Sequence, residues 1–159
     1  YSMSTIHLTT FIAAPIERVF DLSRSINLHK ISTAGTHEEA VAGTTNGLIK
    51  EGETVTWKAK HLFKTRLFTS QITTMNHSDF FCDEIIKGDF KSFKHDHHFK
   101  AIDNGTIMID VIEFESPYGK IGELFDQFYL TNYLKTLLIN RNNVIKEYAE
   151  TQKWKAILS

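Results

Sequence analysis

The chain holds one cysteine and two prolines among 159 residues, and its 18 basic side chains are balanced by 19 acidic ones. Each scarcity excludes something. A single thiol, Cys82, cannot close an internal disulfide, so the fold does not depend on an oxidising compartment. A formal net charge of −1 and a pI near 6.8 supply no global field for nucleic acid or anionic lipid. No apolar run approaches the roughly 18 residues of a membrane-spanning helix, and no basic segment followed by an apolar one marks a signal peptide. These absences predict a cytoplasmic protein with no nucleic-acid partner and no membrane insertion. The glycosylation sequons at Asn76 and Asn104 then read as chance. Tyr1-Ser2 reads as a cloning remnant ahead of Met3, residues 4–153 as a single domain, and 154–159 as a tail.

Apolar residues, by contrast, are plentiful. Leu, Ile, Val and Phe total 46 of 159, well above the roughly 20% of a disordered chain. Their spacing changes along the chain. Thr5–Ile12 is a run of β-branched and apolar residues that reads as a strand, ending before Pro15. Ile16, Val19 and Phe20 follow at helical spacing, with Pro15 suited to the start of a helix because its missing N–H would be unpaired there. Ser25 is placed to cap a second short helix reaching about Ile31.

The middle of the chain reads as strands over 36–42, 54–63, 65–76, 79–87, 91–102 and 106–115. Asp103-Asn104-Gly105 is the strongest hairpin signal among their turns, through the positive φ angles that Asn-Gly tolerates. Short links between neighbouring strands predict an antiparallel meander. From Gly119 to Lys153 a long amphipathic helix is expected, its apolar stripe carrying Ile121, Leu124, Phe125, Phe128, Leu138, Ile139, Ile145, Tyr148 and Ala149. No other helix matches its length, so it must lie against the sheet. The predicted class is α+β, about seven curved antiparallel strands around a long C-terminal helix, with two short helices after the first strand.

Several stretches resemble the START-like, or SRPBCC, superfamily of helix-grip proteins. Ala14-Pro15-Ile16-Glu17-Arg18-Val19-Phe20 is similar to its opening, and the segment from Gly52 to Phe63 to the third strand of a bacterial ligand-binding subgroup. Gly88-Asp89-Phe90, followed by Phe93, His95, His97 and Phe99, resembles that subgroup's later strand. Thr106, Met108 and Asp110, then Pro117–Gly122, resemble its last strand and the approach to the long helix. The subgroup usually has proline after Gly88, where this chain has Asp89. The resemblance implies a deep, largely apolar cavity for a hydrophobic or amphipathic small molecule, lipid or polyketide-like. It also implies a kinship with polyketide cyclase/dehydratase-like proteins.

Strand alternation sorts the candidate site residues. Phe93, His95, His97 and Phe99 share the inward face of one strand, since Lys94, Asp96, His98 and Lys100 must face water. Trp57 and His61 point inward from another, and the resemblance turns Met108 and Asp110 inward from the last. The expected ligand-binding set is therefore Trp57, His61, Phe93, His95, His97, Phe99, Met108, Asp110 and Phe128. His61, His95, His97 and Asp110 would form a polar cluster. It has three readings: a hydrogen-bond network holding the strands in register, an anchor for a ligand headgroup, or an acid–base pair made by His95 or His97 with Asp110. His95-Asp96-His97-His98 also invites a metal reading, with His95 and His97 on one face and His61 or Asp110 able to complete a site, but Asp96 and His98 point away and no zinc-binding motif occurs, so no metal is expected. Lys58, Lys60, Lys64 and Arg66 read as a solvated strand face, and Cys82 as a small core residue. No phosphate loop, nucleophile elbow or dinucleotide fingerprint occurs, and no cofactor is expected.

Overall fold

The structure is a computed structural model, and it describes residues 3–116 and 126–159. Strand β1 (Ser4–Ile12) leads into helices α1 (Ile16–Ser23) and α2 (Ile26–Ser32). Strands β2 (Glu39–Gly43), β3 (Thr54–His61), β4 (Lys64–Asn76), β5 (Phe80–Lys87), β6 (Ser92–Ile102) and β7 (Gly105–Glu115) follow. A π-helical turn (Asp126–Leu130) runs into helix α3 (Thr131–Glu150), and a short α4 (Lys155–Leu158) closes the described chain. All seven strands form one antiparallel sheet in the order β1-β7-β6-β5-β4-β3-β2. Bulges in the β2–β3 and β4–β5 pairings, where one strand carries an extra residue, bend the sheet around α3.

The helical spacing of α1 buries Val19, Phe20 and Leu22. Ser25 caps α2 by accepting a hydrogen bond from the Leu28 amide at 3.1 Å. Helix α3 is fastened to the first strand's end, where Glu150 accepts from the Ala13 amide at 2.8 Å. Two apolar cores result. One gathers Ile12, Phe20, Trp57, Phe81, Phe99, Met108 and Ile145; the other gathers Ile6, Ile112, Phe114, Leu130 and Leu138.

The long helix differs from its sequence-based outline. The stretch holding Ile121, Leu124 and Phe125 lies outside the described residues, and among those described from Asp126 on a π-helical turn precedes the regular helix that starts at Thr131. Phe128, expected on the inner stripe and in the cavity wall, is 66% exposed. It lies in the π-helical turn, whose wider winding breaks the 3.6-residue spacing that placed it inside. The true inner stripe is Leu138, Asn142, Ile145 and Ala149. Residues 154–159 are not a loose tail: Trp154, Ile157 and Leu158 pack on the main core, and Arg18 lies over the Trp154 ring at 4.3 Å.

Two turns also depart from expectation. The β3–β4 hairpin turns at Leu62-Phe63, both at positive φ (54° and 66°), where the sequence offers neither Gly nor Asn and so reads as continuing strand. The β6–β7 hairpin forms at Asp103-Asn104 as expected, but without positive φ. Gly105 is needed there for closeness, since a Cβ would sit 2.4 Å from the Ile12 carbonyl oxygen.

Ile145→Ala should therefore cost about 2–5 kcal/mol as a large-to-small core change. Phe128→Ala and Lys135→Ala, both on exposed side chains, should each stay within about 0.5 kcal/mol. Urea melts of the three variants check the helical face.

Candidate functional site

A cavity of about 430 Å³ lies between the two cores. Strands β3–β6 supply one wall through Val55, Trp57, Phe68, Ile72, Phe81 and Phe93, and α3 supplies the facing wall through Tyr133, Leu134, Leu137 and Leu138. Helix α2 covers one end with Ile26 and His29.

A charged cluster stands at one side. Asp110 is wholly buried in the middle of β7, between Met108 and Ile112. A carboxylate there needs partners, and β6 and α3 provide them. His95 Nε2 donates to Oδ1 at 2.7 Å, and Asn142 Nδ2 to Oδ2 at 2.8 Å. Asn142 also donates to Thr10 Oγ1 at 3.2 Å. Arg141 brings Nη1 to 3.6 Å from Asp110 Oδ1, donates to Asn142 Oδ1 at 2.9 Å, and ties down the end of α1 through the Ser23 carbonyl at 3.2 Å. Burial pushes the Asp110 carboxyl up, but the hydrogen bond from His95 and the charges of His95, Arg141 and His97 outweigh it and hold it well below the usual carboxylate range.

His97 lies one pleat along β6. Its ring is stacked between Phe81, with centroids 4.0 Å apart, and His95, at 3.6 Å. His97 Nε2 donates to Asp83 Oδ2 at 2.6 Å, and its Nδ1 faces Arg141 Nη2 at 3.5 Å. Burial, then the neighbouring His95 charge, lowers His97 to about 4 despite the opposing pull of Asp83, so the ring is neutral at pH 7. Asp83 is pushed up by burial and more strongly down by its hydrogen bond from His97 and the surrounding cations, so it stays ionised. Asp83, His95, His97 and Arg141 all open onto the cavity.

A second polar group stands elsewhere on the wall. Glu38 receives His29 Nε2 at 2.9 Å and lies 3.3 Å from His61 Nε2, while His61 Nδ1 meets the Tyr133 hydroxyl at 2.7 Å. Burial raises the Glu38 carboxyl, yet the hydrogen bonds from His29 and His61 bring it down to about 2. Burial, then the Glu38 charge, raises the Tyr133 hydroxyl. This chain of contacts stitches α2, β3 and α3 together across the cavity.

Of the nine residues singled out from the sequence, Trp57, His61, Phe93, His95 and His97 line the cavity. Phe99, Met108 and Asp110 are buried behind it in the sheet–helix interface. Phe128 is exposed. His61 does not join the His95–His97–Asp110 group; its partners are Glu38 and Tyr133. Sequence reasoning missed Asp83, Arg141 and Asn142. Asp83 pairs directly across from His95 in the β5–β6 register, but β5 carries acidic and apolar residues on both faces, so alternation gave no side to it. Asn142 had a usable signal: a polar residue four positions after Leu138 and three before Ile145, on the inner stripe. Cys82 is buried, and burial, together with Asp96 and Asp83 and against an opposing hydrogen bond with Thr73, raises its thiol to about 12, which leaves it protonated.

No protein-family model matches the chain, and no curated protein does. Solved structures do. TTHA0849 from Thermus thermophilus superposes with a TM-score of 0.75 at 16% identity, covering 98% of this chain and 100% of that one. Ginseng major latex-like protein 151 from Panax ginseng gives 0.70 at 15% identity, covering 94% and 99%. The Zhui aromatase/cyclase from a Streptomyces gives 0.73 at 13% identity, covering 94% of each chain. Together with the strand order these likenesses define the class: the chain has the helix-grip fold of START-like, or SRPBCC, proteins. Among the described residues no helix is long and apolar enough to cross a membrane.

The pH dependence of stability follows from the shifted groups. His97 titrates near 6.5 when unfolded and about 4 when folded, so the unfolded chain binds more protons between those values and stability falls as pH drops through that window. Glu38 adds a second loss below its unfolded value of 4.5, on the order of 3 kcal/mol once the pH approaches 2. Urea melts at pH 7, 5.5 and 4 should show falling stability, and Glu38→Gln should flatten only the decline below about pH 4.5.

Proposed function

We propose that the protein binds a hydrophobic or amphipathic small molecule, lipid- or polyketide-like, in this cavity, with the polar end of the molecule at Asp83, His97 and Arg141. The observation that carries the reading is the placement of that cluster: ionised and hydrogen-bonding groups open at one side of a cavity whose wall is mainly aromatic and aliphatic. Such a distribution suits a ligand whose body is apolar and whose few polar atoms fix its orientation. Trp57, Phe93, Leu137 and Leu138 would hold the body. His61 and Tyr133 would contact its far end.

A second reading has its own support. His97 and Asp83 are 2.6 Å apart at the cavity surface, a geometry that suits proton transfer to or from a bound substrate, and one neighbour in fold is named an aromatase/cyclase. In that case the His–Asp pair would be His97 with Asp83, while Asp110 orients His95 from behind. This departs from the expectation of His95 or His97 acting with Asp110, whose carboxylate does not line the cavity.

A fluorescent apolar anion such as anilinonaphthalene sulfonate is a suitable probe, because Trp57 in the wall reports its arrival. His97→Phe keeps the ring stack on Phe81 and should lower probe affinity about tenfold, near 1.4 kcal/mol. Ser70→Trp, which fills the cavity from β4, should abolish binding; unchanged affinity in both variants would overturn the proposal. If a substrate is turned over, Asp83→Asn should spare its affinity and remove turnover.

A further inference from the structure

We propose that Asp83, His95 and His97 form a three-ligand site for a divalent transition-metal ion of the zinc class, with its fourth position open to the cavity. The donors are His95 Nδ1, His97 Nε2 and Asp83 Oδ2, all within 4.8 Å of one another. They come from two adjacent strands, with Asp83 and His95 in register and His97 two residues along on the same face. Sequence spacing alone argued against a metal because Asp96 and His98 point away. The third ligand comes instead from the neighbouring strand.

Three observations carry the inference. The first is distance. Ligands of a tetrahedral ion with bonds of 2.0–2.1 Å lie about 3.3 Å apart. Asp83 Oδ2 is 2.6 Å from His97 Nε2 and 4.0 Å from His95 Nδ1, so changes of about 0.7 Å in each would equalise them, with the His95–His97 stack opening to bring both ring planes onto the ion. The second is the state of His95. Its Nε2 is committed to Asp110 at 2.7 Å, and no hydrogen bond among the described residues reaches its Nδ1. That nitrogen faces Asp83 Oδ2 at 4.0 Å, with room for an ion between them. A carboxylate on the far nitrogen is also the support that ligating histidines usually have. The third is charge: Asp83 and Asp110 with Arg141 leave a net −1, and Arg141, which also lines the cavity, stands against Asp110 and the Nδ1 edge of His97, away from the Nε2 that would meet the ion. The ion would take the Nε2 position of His97 with the ring proton moved to Nδ1, 3.5 Å from Asp110 Oδ1, so that the ring stays a neutral imidazole.

The inference is independent of any organic ligand and is tested without one. Chelator-stripped protein is titrated with Zn2+ by calorimetry and with Co2+ by visible absorption, where nitrogen–oxygen tetrahedral coordination has a distinct spectrum. One ion per chain is expected. Asp83→Ala, on a partly exposed side chain, should weaken Zn2+ binding at least about a hundredfold, and Asp110→Asn about tenfold to a hundredfold through loss of support to His95. His98→Ala, on the outer face, should change nothing. Circular dichroism establishes that each variant is folded, and should Asp110→Asn not fold, Asp83→Ala decides alone. Failure of the stripped protein to bind Zn2+, or unchanged binding in Asp83→Ala, would overturn the site.

Discussion

A buried carboxylate governs this molecule. Asp110 has no solvent exposure, and an ion taken out of water costs several kcal/mol unless its oxygens are occupied. Meeting that demand recruits His95 from β6, Asn142 and Arg141 from α3 and, through Arg141, the end of α1. An apolar residue at this position would let the sheet and helix slide over one another at small cost. The charge does not, because each partner is directional. It also fixes which nitrogen of His95 carries the proton, and so determines what the other nitrogen presents to the cavity.

The cavity is bounded by two polar groups of different character. At the Asp83–His97 side, ionised and neutral groups sit in reach of an occupant and are held by neighbours on a rigid sheet. At the Glu38 side, the carboxylate is enclosed by His29 and His61, and its role is to join three elements. A ligand meeting the second group would touch His61 and Tyr133 beside a carboxylate whose hydration is already largely replaced by the two imidazoles. Orientation within the cavity would therefore be set mainly by the first group.

Period-2 alternation made most of the sheet legible. It placed His95, His97 and Trp57 inside correctly, because the intervening lysines tolerate only solvent. The same logic was silent for β5, where Phe80, Cys82 and Ile86 on one face oppose Phe81, Asp83 and Ile85 on the other, with no clear polar side to reject. Helical periodicity succeeded at Leu138 and Ile145 and failed at Phe128, since a π-helical turn advances the chain by a different angle. The Leu62-Phe63 turn left no trace in composition at all. Its residues are apolar, and their left-handed conformation is imposed by strands that pair correctly on either side. What remained hidden were contacts that depend on register between strands, which no single strand encodes.

The strand order has a consequence for how the cavity comes into being. Strands β2 to β7 form a run of successive hairpins, each joining neighbours in sequence. By contrast β1 pairs with β7 across most of the chain, Ile12 lying opposite Thr106. Closing so large a loop is the entropically demanding step of assembly, and α1 and α2 lie inside that loop. Until β1 docks, the hairpins exist as a curved surface with no end cover and no enclosed volume. A molecule lodged in the cavity would touch β3–β6, α2 and α3 but no residue of β1, so its binding free energy would add to the assembly of the finished enclosure as a whole. An occupant would fasten α2 and α3 onto β3–β6, elements that lie far apart along the chain.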